Sequence, residues 1–84
     1  MIDITNVKVI KTEGNFRVKG IASITIDDSF VVHDLRILES ERGLYVAMPS
    51  RRTPDGVFKD ITHPINAETR ELIQKAVLNE YDKD

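Results

Sequence analysis

The stretch FRVKGIASITIDDSFVVHDLRIL, residues 16–38, decides the fold. Its first half alternates apolar and polar side chains, which is the period of a β-strand with one buried face. The apolar face consists of Phe16, Val18, Ala22, Ile24 and Ile26. Gly20 shares their parity and hints at a local kink. Asp27–Ser29 predicts a turn, and the β-branched run after it predicts a second, antiparallel strand over Phe30–Leu38.

Simple alternation along this second strand divides its side chains between two faces. One face carries Val31, His33, Leu35 and Ile37, and the other carries Asp34 and Arg36. Because His33 falls on an apolar face, we expect it to be a hydrogen-bonded core residue rather than a catalytic base. His63, which precedes Pro64, is interpreted as a structural turn residue.

Upstream of residues 16–38, one more strand is predicted at Val7–Lys11. The parity of the apolar residues changes just before it, which predicts a bulge or a frayed start at Thr5–Asn6. Thr12–Asn15 contains glycine and asparagine, which tolerate positive φ, and is expected to form a hairpin turn.

Downstream, a charged hairpin loop at residues 39–43 precedes a short strand, Leu44–Met48, which Pro49 ends. Thr53–Gly56 has proline and glycine at the positions that a tight, rigid turn requires. Val57–Ile61 can supply one more short strand. Residues 1–61 are therefore expected to form an antiparallel sheet.

The C-terminal part predicts one helix over residues 66–81. Asn66 is a good N-cap, and Glu68 favours the positive end of the helix dipole. The apolar stripe consists of Leu72, Ile73, Ala76, Val77 and Tyr81. The chain is thus predicted to be a single α+β domain, residues 1–84, with a small antiparallel β-sheet meander and one C-terminal helix.

Composition limits what the chain can do. Its 84 residues can build one core, and without cysteine it can form neither a disulfide nor a thiolate zinc site. We expect no metal and no cofactor, which leaves dimerisation as the source of extra stability. No signal-peptide pattern or bilayer-spanning run is present, so a soluble, cytoplasmic protein without a membrane partner is expected. No catalytic motif is present, so neither an enzyme nor a small-molecule substrate is expected.

The segment PSRRTPDG, residues 49–56, is the candidate functional site. Two adjacent arginines between two prolines form a stiff donor cluster suited to phosphate oxygens or a guanine edge. The candidate nucleic-acid contacts are Ser50, Arg51, Arg52, Thr53 and, across the turn, Lys59. The alternative is an ordinary solvated loop with exposed charges.

Three other side chains are candidates to extend this site. Arg17 and Lys19 share the polar face of one strand and could extend a basic stripe, although such residues more often keep a sheet face soluble. Phe58 stands near the arginines in sequence and could stack on a base. We expect it instead to fill the core beneath the loop.

Five strings resemble the bacterial stage V sporulation protein G family along nearly the whole chain. They are FVVHDLR at 30–36, GLYVAMPS at 43–50, RRTPDG at 51–56, HPIN at 63–66 and AVLNEY at 76–81. The resemblance implies a small antiparallel sheet with a C-terminal helix, a homodimer, a cytoplasmic location, and a regulator that binds DNA and, in some members, RNA. Some members are tied to septation during spore formation, and others to capsule and virulence expression.

Matched onto this chain, the resemblance implies nucleic-acid contacts at Arg51 and Arg52, with Lys59 where relatives often carry arginine. The leading hypothesis is a homodimeric regulator of gene expression whose two-fold symmetry presents two such loops to successive phosphate tracks. The rival is a protein-interaction module in cell division or regulation. Such a module would dock a protein through a strand edge or the helix stripe, with its charges conferring solubility.

Overall fold

Seven secondary-structure elements make up the computed structural model, which describes residues 2–12 and 17–83. They are β1 (Ile4–Lys11), β2 (Val18–Ile26), β3 (Phe30–Ser40), β4 (Gly43–Ala47), β5 (Ser50–Arg52), β6 (Phe58–Asp60) and the helix α1 (Ala67–Tyr81). The first four strands form one antiparallel sheet in sequence order, and β5 pairs with β6 in a separate two-stranded sheet. The predicted α+β class, an antiparallel sheet with one C-terminal helix, is confirmed.

A two-residue turn joins β2 to β3, as predicted. Asp27 and Asp28 adopt positive φ, 53° and 55°, and the Ser29 N–H donates to the Ile26 carbonyl at 3.0 Å. Positive φ at both central residues is the type I′ geometry, whose twist matches that of the flanking strands. Aspartate tolerates this conformation better than most residues, so the Asp-Asp pair suits the turn.

Two irregularities predicted from the sequence are present in the sheet. The register of β1 against β2 shifts between Ile4 and Asn6, where the parity of the apolar residues changes. The register of β2 against β3 shifts between Val18 and Gly20. A Cβ at Gly20 would stand 3.2 Å from the Ile10 carbonyl oxygen, so glycine permits this close approach. The turn predicted at Thr12–Asn15 lies, apart from Thr12, outside the described residues.

A bulge in β3 overturns the predicted division of that strand into two faces. Ala22 pairs with Leu35, but Ile24, two residues further along β2, pairs with Val32, so β3 holds one extra residue. Asp34, inside this bulge, has φ of 66°. The extra residue reverses the parity, and the side chain of His33 is exposed. The expectation that His33 is a core residue is therefore wrong.

The core lies between α1 and one face of the four-stranded sheet. Its buried side chains are Ala22, Ile24, Leu35, Ile37, Val46, Met48, Ile73 and Val77. Burying each of these side chains other than that of Ala22 contributes about 1.5–3 kcal/mol. The helix begins as predicted, because the Asn66 side chain accepts a hydrogen bond from the Thr69 N–H at 2.8 Å.

The opposite side of the four-stranded sheet, here called the open face, has no buried side chain. It includes Asn6, Lys8 and Ile10 of β1, Ile21, Ser23 and Thr25 of β2, Val31, His33, Asp34, Arg36 and Leu38 of β3, and Tyr45 and Ala47 of β4. The helix packs on the other side of the sheet, so no helix of the described residues covers this face.

Candidate nucleic-acid interface

The segment Ser50–Asp60 forms a hairpin, here called the arm, that consists of β5, β6 and the turn between them. The Ile61 N–H donates to the Pro49 carbonyl at 2.7 Å and closes the base of the arm. Every residue of the arm is exposed except Ser50 and Thr53, which are half-buried. The arm therefore offers most of its side chains to a partner.

The two arginines lie on a strand and not in a loop, which corrects the picture of a loop-borne pair. Successive side chains of a strand point to opposite faces, so Arg51 and Arg52 cannot form one fork on one side of the arm. Residues directly opposite each other on paired strands share a face, and Lys59 is opposite Arg51. The sequence predicts that Lys59 lies beside the arginines across the turn. In the structure, Lys59 lies opposite Arg51.

The other face of the arm carries Arg52 opposite Phe58, and Ser50 opposite Asp60. A Cβ at Gly56 would stand 3.6 Å from Arg52 Nη2, so the guanidinium group lies over the turn. Phe58 is 66% exposed, and the expectation that it fills the core is wrong. The expectation failed because the hairpin extends away from the sheet instead of folding over it.

The turn at the end of the arm is rigid, as its proline and glycine predict. The Thr53 N–H donates to the Val57 carbonyl at 2.9 Å, and the Gly56 N–H donates to the Thr53 carbonyl at 2.9 Å. Gly56 has φ of 85°, a conformation that glycine adopts without strain.

A side-chain hydrogen bond adds to this turn. The Thr53 hydroxyl lies within hydrogen-bonding reach of the Asp55 carboxylate and, at 2.9 Å, of the Val57 carbonyl. The bond from Thr53 to the charged carboxylate lowers the pKa of Asp55 below its ordinary value of 3.8. The Thr53 hydroxyl thus takes part in the turn, in addition to its predicted place among the nucleic-acid contacts.

Arg36 is a residue that sequence reasoning did not connect with the site. Its Nη2 donates to the Ser50 hydroxyl at 2.9 Å, so the open face and the first residue of the arm are joined. The sequence did place Arg36 on a polar face of β3, but its partner lies fourteen residues away, in a segment taken to be a loop.

Arg17 and Lys19, the possible extension of the site, lie away from the arm. The Arg17 carbonyl accepts a hydrogen bond from the Glu39 N–H, and Lys19 Nζ is 3.8 Å from Glu39 Oε1. Glu39 stands next to Ser40, where β3 ends, whereas the arm follows the far end of β4. Lys19 thus faces a carboxylate, and the structure does not bring these two residues to Arg51.

The two histidines lie apart. His33 lines a depression on the open face, and His63 lines a cleft between the sheet and the start of α1. Among the described residues, no group of three or more His, Cys, Asp or Glu side chains is placed to hold a metal ion. Within the same part of the chain, no helix has the length and hydropathy needed to cross a bilayer.

Fold and site together define a class, a small α+β protein that presents a basic two-stranded ribbon beyond its core. The chain belongs to the SpoVG family, whose model matches residues 2–83. The resemblance found in the sequence is thereby confirmed.

Several relatives are similar over nearly the whole chain. One from Clostridium perfringens is 55% identical over 82 residues, which cover 98% of this chain and 91% of that protein. One from Clostridium kluyveri is 56% identical over 82 residues, covering 98% and 85%. One from Caldanaerobacter subterraneus is 54% identical over 80 residues, covering 95% and 88%. Each bears the name "Putative septation protein SpoVG".

Proposed function

We propose that this chain is a homodimeric, cytoplasmic regulator that binds DNA, with RNA as a second ligand, through the arm, and so controls gene expression. The observation that carries the proposal is the pairing of Arg51 with Lys59 on one exposed face of the arm. The cross-strand pairs place no carboxylate on that face, because Asp60 pairs with Ser50 on the other one. Two neighbouring cations with no anion between them favour contact with phosphate oxygens.

The shape of the arm supports the same proposal. The major groove of B-DNA admits a two-stranded β-ribbon, and the arm is a ribbon of that kind. In such a position, the long side chains of one face reach into the groove and to the phosphates that border it. Arg51 and Lys59 would then supply charge, while the rigid turn limits the entropy lost on binding.

Exposed apolar side chains on and beside the arm support self-association. Val57 is 51% exposed, Phe58 66% and Ile61 65%. Large apolar side chains left exposed within one short segment favour a protein interface. A dimer would also double the phosphate contacts, because a single Arg51–Lys59 pair is too small to hold DNA tightly.

The name of the relatives, "Putative septation protein SpoVG", supports a role in septation. In the proposal, this chain acts on septation by controlling the expression of genes needed for it during sporulation. No enzymatic activity is part of the proposal.

The test is the affinity of Arg51→Ala for a fluorescently labelled DNA duplex, measured by anisotropy across a salt series. We expect weaker binding to all sequences, with the salt slope reduced by about one unit per lost contact. Lys75→Ala is the matched control, because it removes one exposed positive charge from the helix. Equal binding by wild type and Arg51→Ala would contradict the assignment. Light scattering of the purified protein measures whether it is a dimer. A protein that is strictly monomeric and still binds DNA tightly would contradict the dimer model.

The rival function, a protein-interaction module without nucleic-acid binding, has one observation in its favour. The apolar side chains of the arm could dock a different protein as well as a second copy. A mobility-shift assay at physiological salt with heparin as competitor separates the two functions. A complex that survives heparin supports the regulator, and a wild-type protein that retains no DNA supports the interaction module.

A further inference from the structure

The open face carries more positive than negative charge. Lys8 and Arg36 are its cations, His33 is a titratable side chain, and Asp34, exposed in the bulge of β3 opposite Ser23, is a carboxylate beside them. The whole chain has a net charge of −2, so this distribution differs from the average surface of the protein. An excess of cations on one face favours contact with a polyanion.

An aromatic ring lies among these cations. Tyr45 is 39% exposed and pairs with Leu38, two residues from Arg36 on the same face of β3. Tyr45 and Arg36 are therefore diagonal neighbours across two strands. An exposed ring on a β-sheet can stack with a base only where that base is not already stacked in a duplex, which favours a single strand.

Small polar side chains complete the face. Asn6, Ser23 and Thr25 line a depression of about 190 Å³ together with Lys8, Val31 and His33. Hydroxyl and amide groups both donate and accept hydrogen bonds, as the ribose 2′-hydroxyl of RNA does. From the spacing of strands and residues, the Cα atoms of Lys8 and Arg36 are about 12 Å apart. The two cations are thus far enough apart to meet different phosphates of one strand.

The open face is continuous with the arm. Arg36 Nη2 donates to the Ser50 hydroxyl at 2.9 Å, and Arg51 is the next residue along β5. Ser50 thus joins the two surfaces, with the carboxylate of Asp60 opposite it at this junction.

We propose that the open face is a second nucleic-acid site and binds a segment of single-stranded RNA. Tyr45 stacks on one base, Lys8 and Arg36 contact phosphates, and the depression beside Lys8 receives the sugar hydroxyls. This inference rests on the proposed function, in which the arm binds nucleic acid, and adds a separate surface for single-stranded RNA.

The test uses the full chain and a labelled oligouridylate, with oligothymidylate and a DNA duplex as comparison ligands. Tyr45→Leu should lower the affinity for oligouridylate about fivefold or more, and Tyr45→Phe, which keeps the ring, should bind as wild type does. Lys8→Gln, at an exposed position, should reduce the salt slope for the single strand by about 0.7. Lys75→Gln is the control for loss of charge elsewhere. Wild type should bind oligouridylate more tightly than oligothymidylate.

Several results would overturn the inference. If Arg51→Ala weakens duplex binding while Tyr45→Leu and Lys8→Gln bind oligouridylate as wild type does, the open face is not a site although the arm is. Equal wild-type affinity for the two single strands would exclude RNA as the selected ligand. Conversion of a dimer to a monomer by Tyr45→Leu would identify the face as an interface between two copies. If wild type binds no nucleic acid at all, the proposed function fails as well.

Discussion

The arm and the four-stranded sheet consist of the same kind of antiparallel strand, but only the sheet has a helix against it. The sheet contributes Leu35 and Ile37 to the core, both fully buried, and the arm contributes no buried side chain. An isolated two-stranded hairpin is marginally stable in water. The arm is therefore maintained by its rigid turn and by the pairing at its base, and its side chains are free to contact partners.

The largest effect should come from shortening a buried side chain of the sheet. Shortening an exposed side chain of the arm gives the comparison. Leu35→Ala removes a fully buried side chain, and we expect the free energy of unfolding to fall by about 2–5 kcal/mol. Phe58→Ala removes a larger but exposed side chain from the arm, and at concentrations where the protein is monomeric the change should stay within about 0.5 kcal/mol. Urea denaturation followed by far-UV circular dichroism measures both.

A concentration series sharpens this comparison. If Phe58 packs against a second copy, Phe58→Ala should lose stability relative to wild type as the protein concentration rises, because dimerisation then contributes to unfolding free energy. A large loss of unfolding free energy for Phe58→Ala in dilute solution would show instead that the arm packs on the sheet of the same chain.

A smaller effect on stability is expected at the start of α1, the helix that packs on the sheet and not on the arm. Asn66→Ala removes the side chain that accepts from the Thr69 N–H, and should cost about 1 kcal/mol. Asn79→Ala is the matched control, because Asn79 is exposed within α1 and alanine has the higher helix propensity there. Thermal unfolding should show a lower Tm for the first variant only. Equal Tm values for the two variants would indicate that the cap contributes nothing.

The smallest effect concerns the turn of the arm. The Thr53 hydroxyl holds the pKa of Asp55 below 3.8, so Thr53→Val should raise that pKa towards its ordinary value. Because the pKa is lowered in the folded arm, the charged carboxylate stabilises the turn above pH 3.8, and this contribution is lost as the pH falls through the lowered pKa. An NMR titration of the Asp55 carboxyl group measures the change. An unaltered pKa in the variant would assign the lowering to backbone N–H groups.

Much of the fold could be predicted because its signals are local. The Asp-Asp turn, the parity change at Thr5–Asn6 and the N-cap at Asn66 each depend on residues close in sequence. The candidate site was predicted less completely. The residue types around Arg51 indicated a basic site, but the strand that separates Arg51 from Arg52 depends on pairing with residues 58–60. Three residues following a proline carry too weak a pattern to predict such a strand.

By itself, the sequence determined the first four strands, the turn at Asp27–Asp28, the helix and the presence of a rigid basic segment, since alternation, turn residues, proline and capping residues act within a few positions. Only the tertiary structure decided that Asp34 sits in a bulge, that His33 is exposed and that Arg51 faces Lys59. The physical reason is that the face on which a side chain lies depends on the register with a partner strand, and one extra residue reverses it.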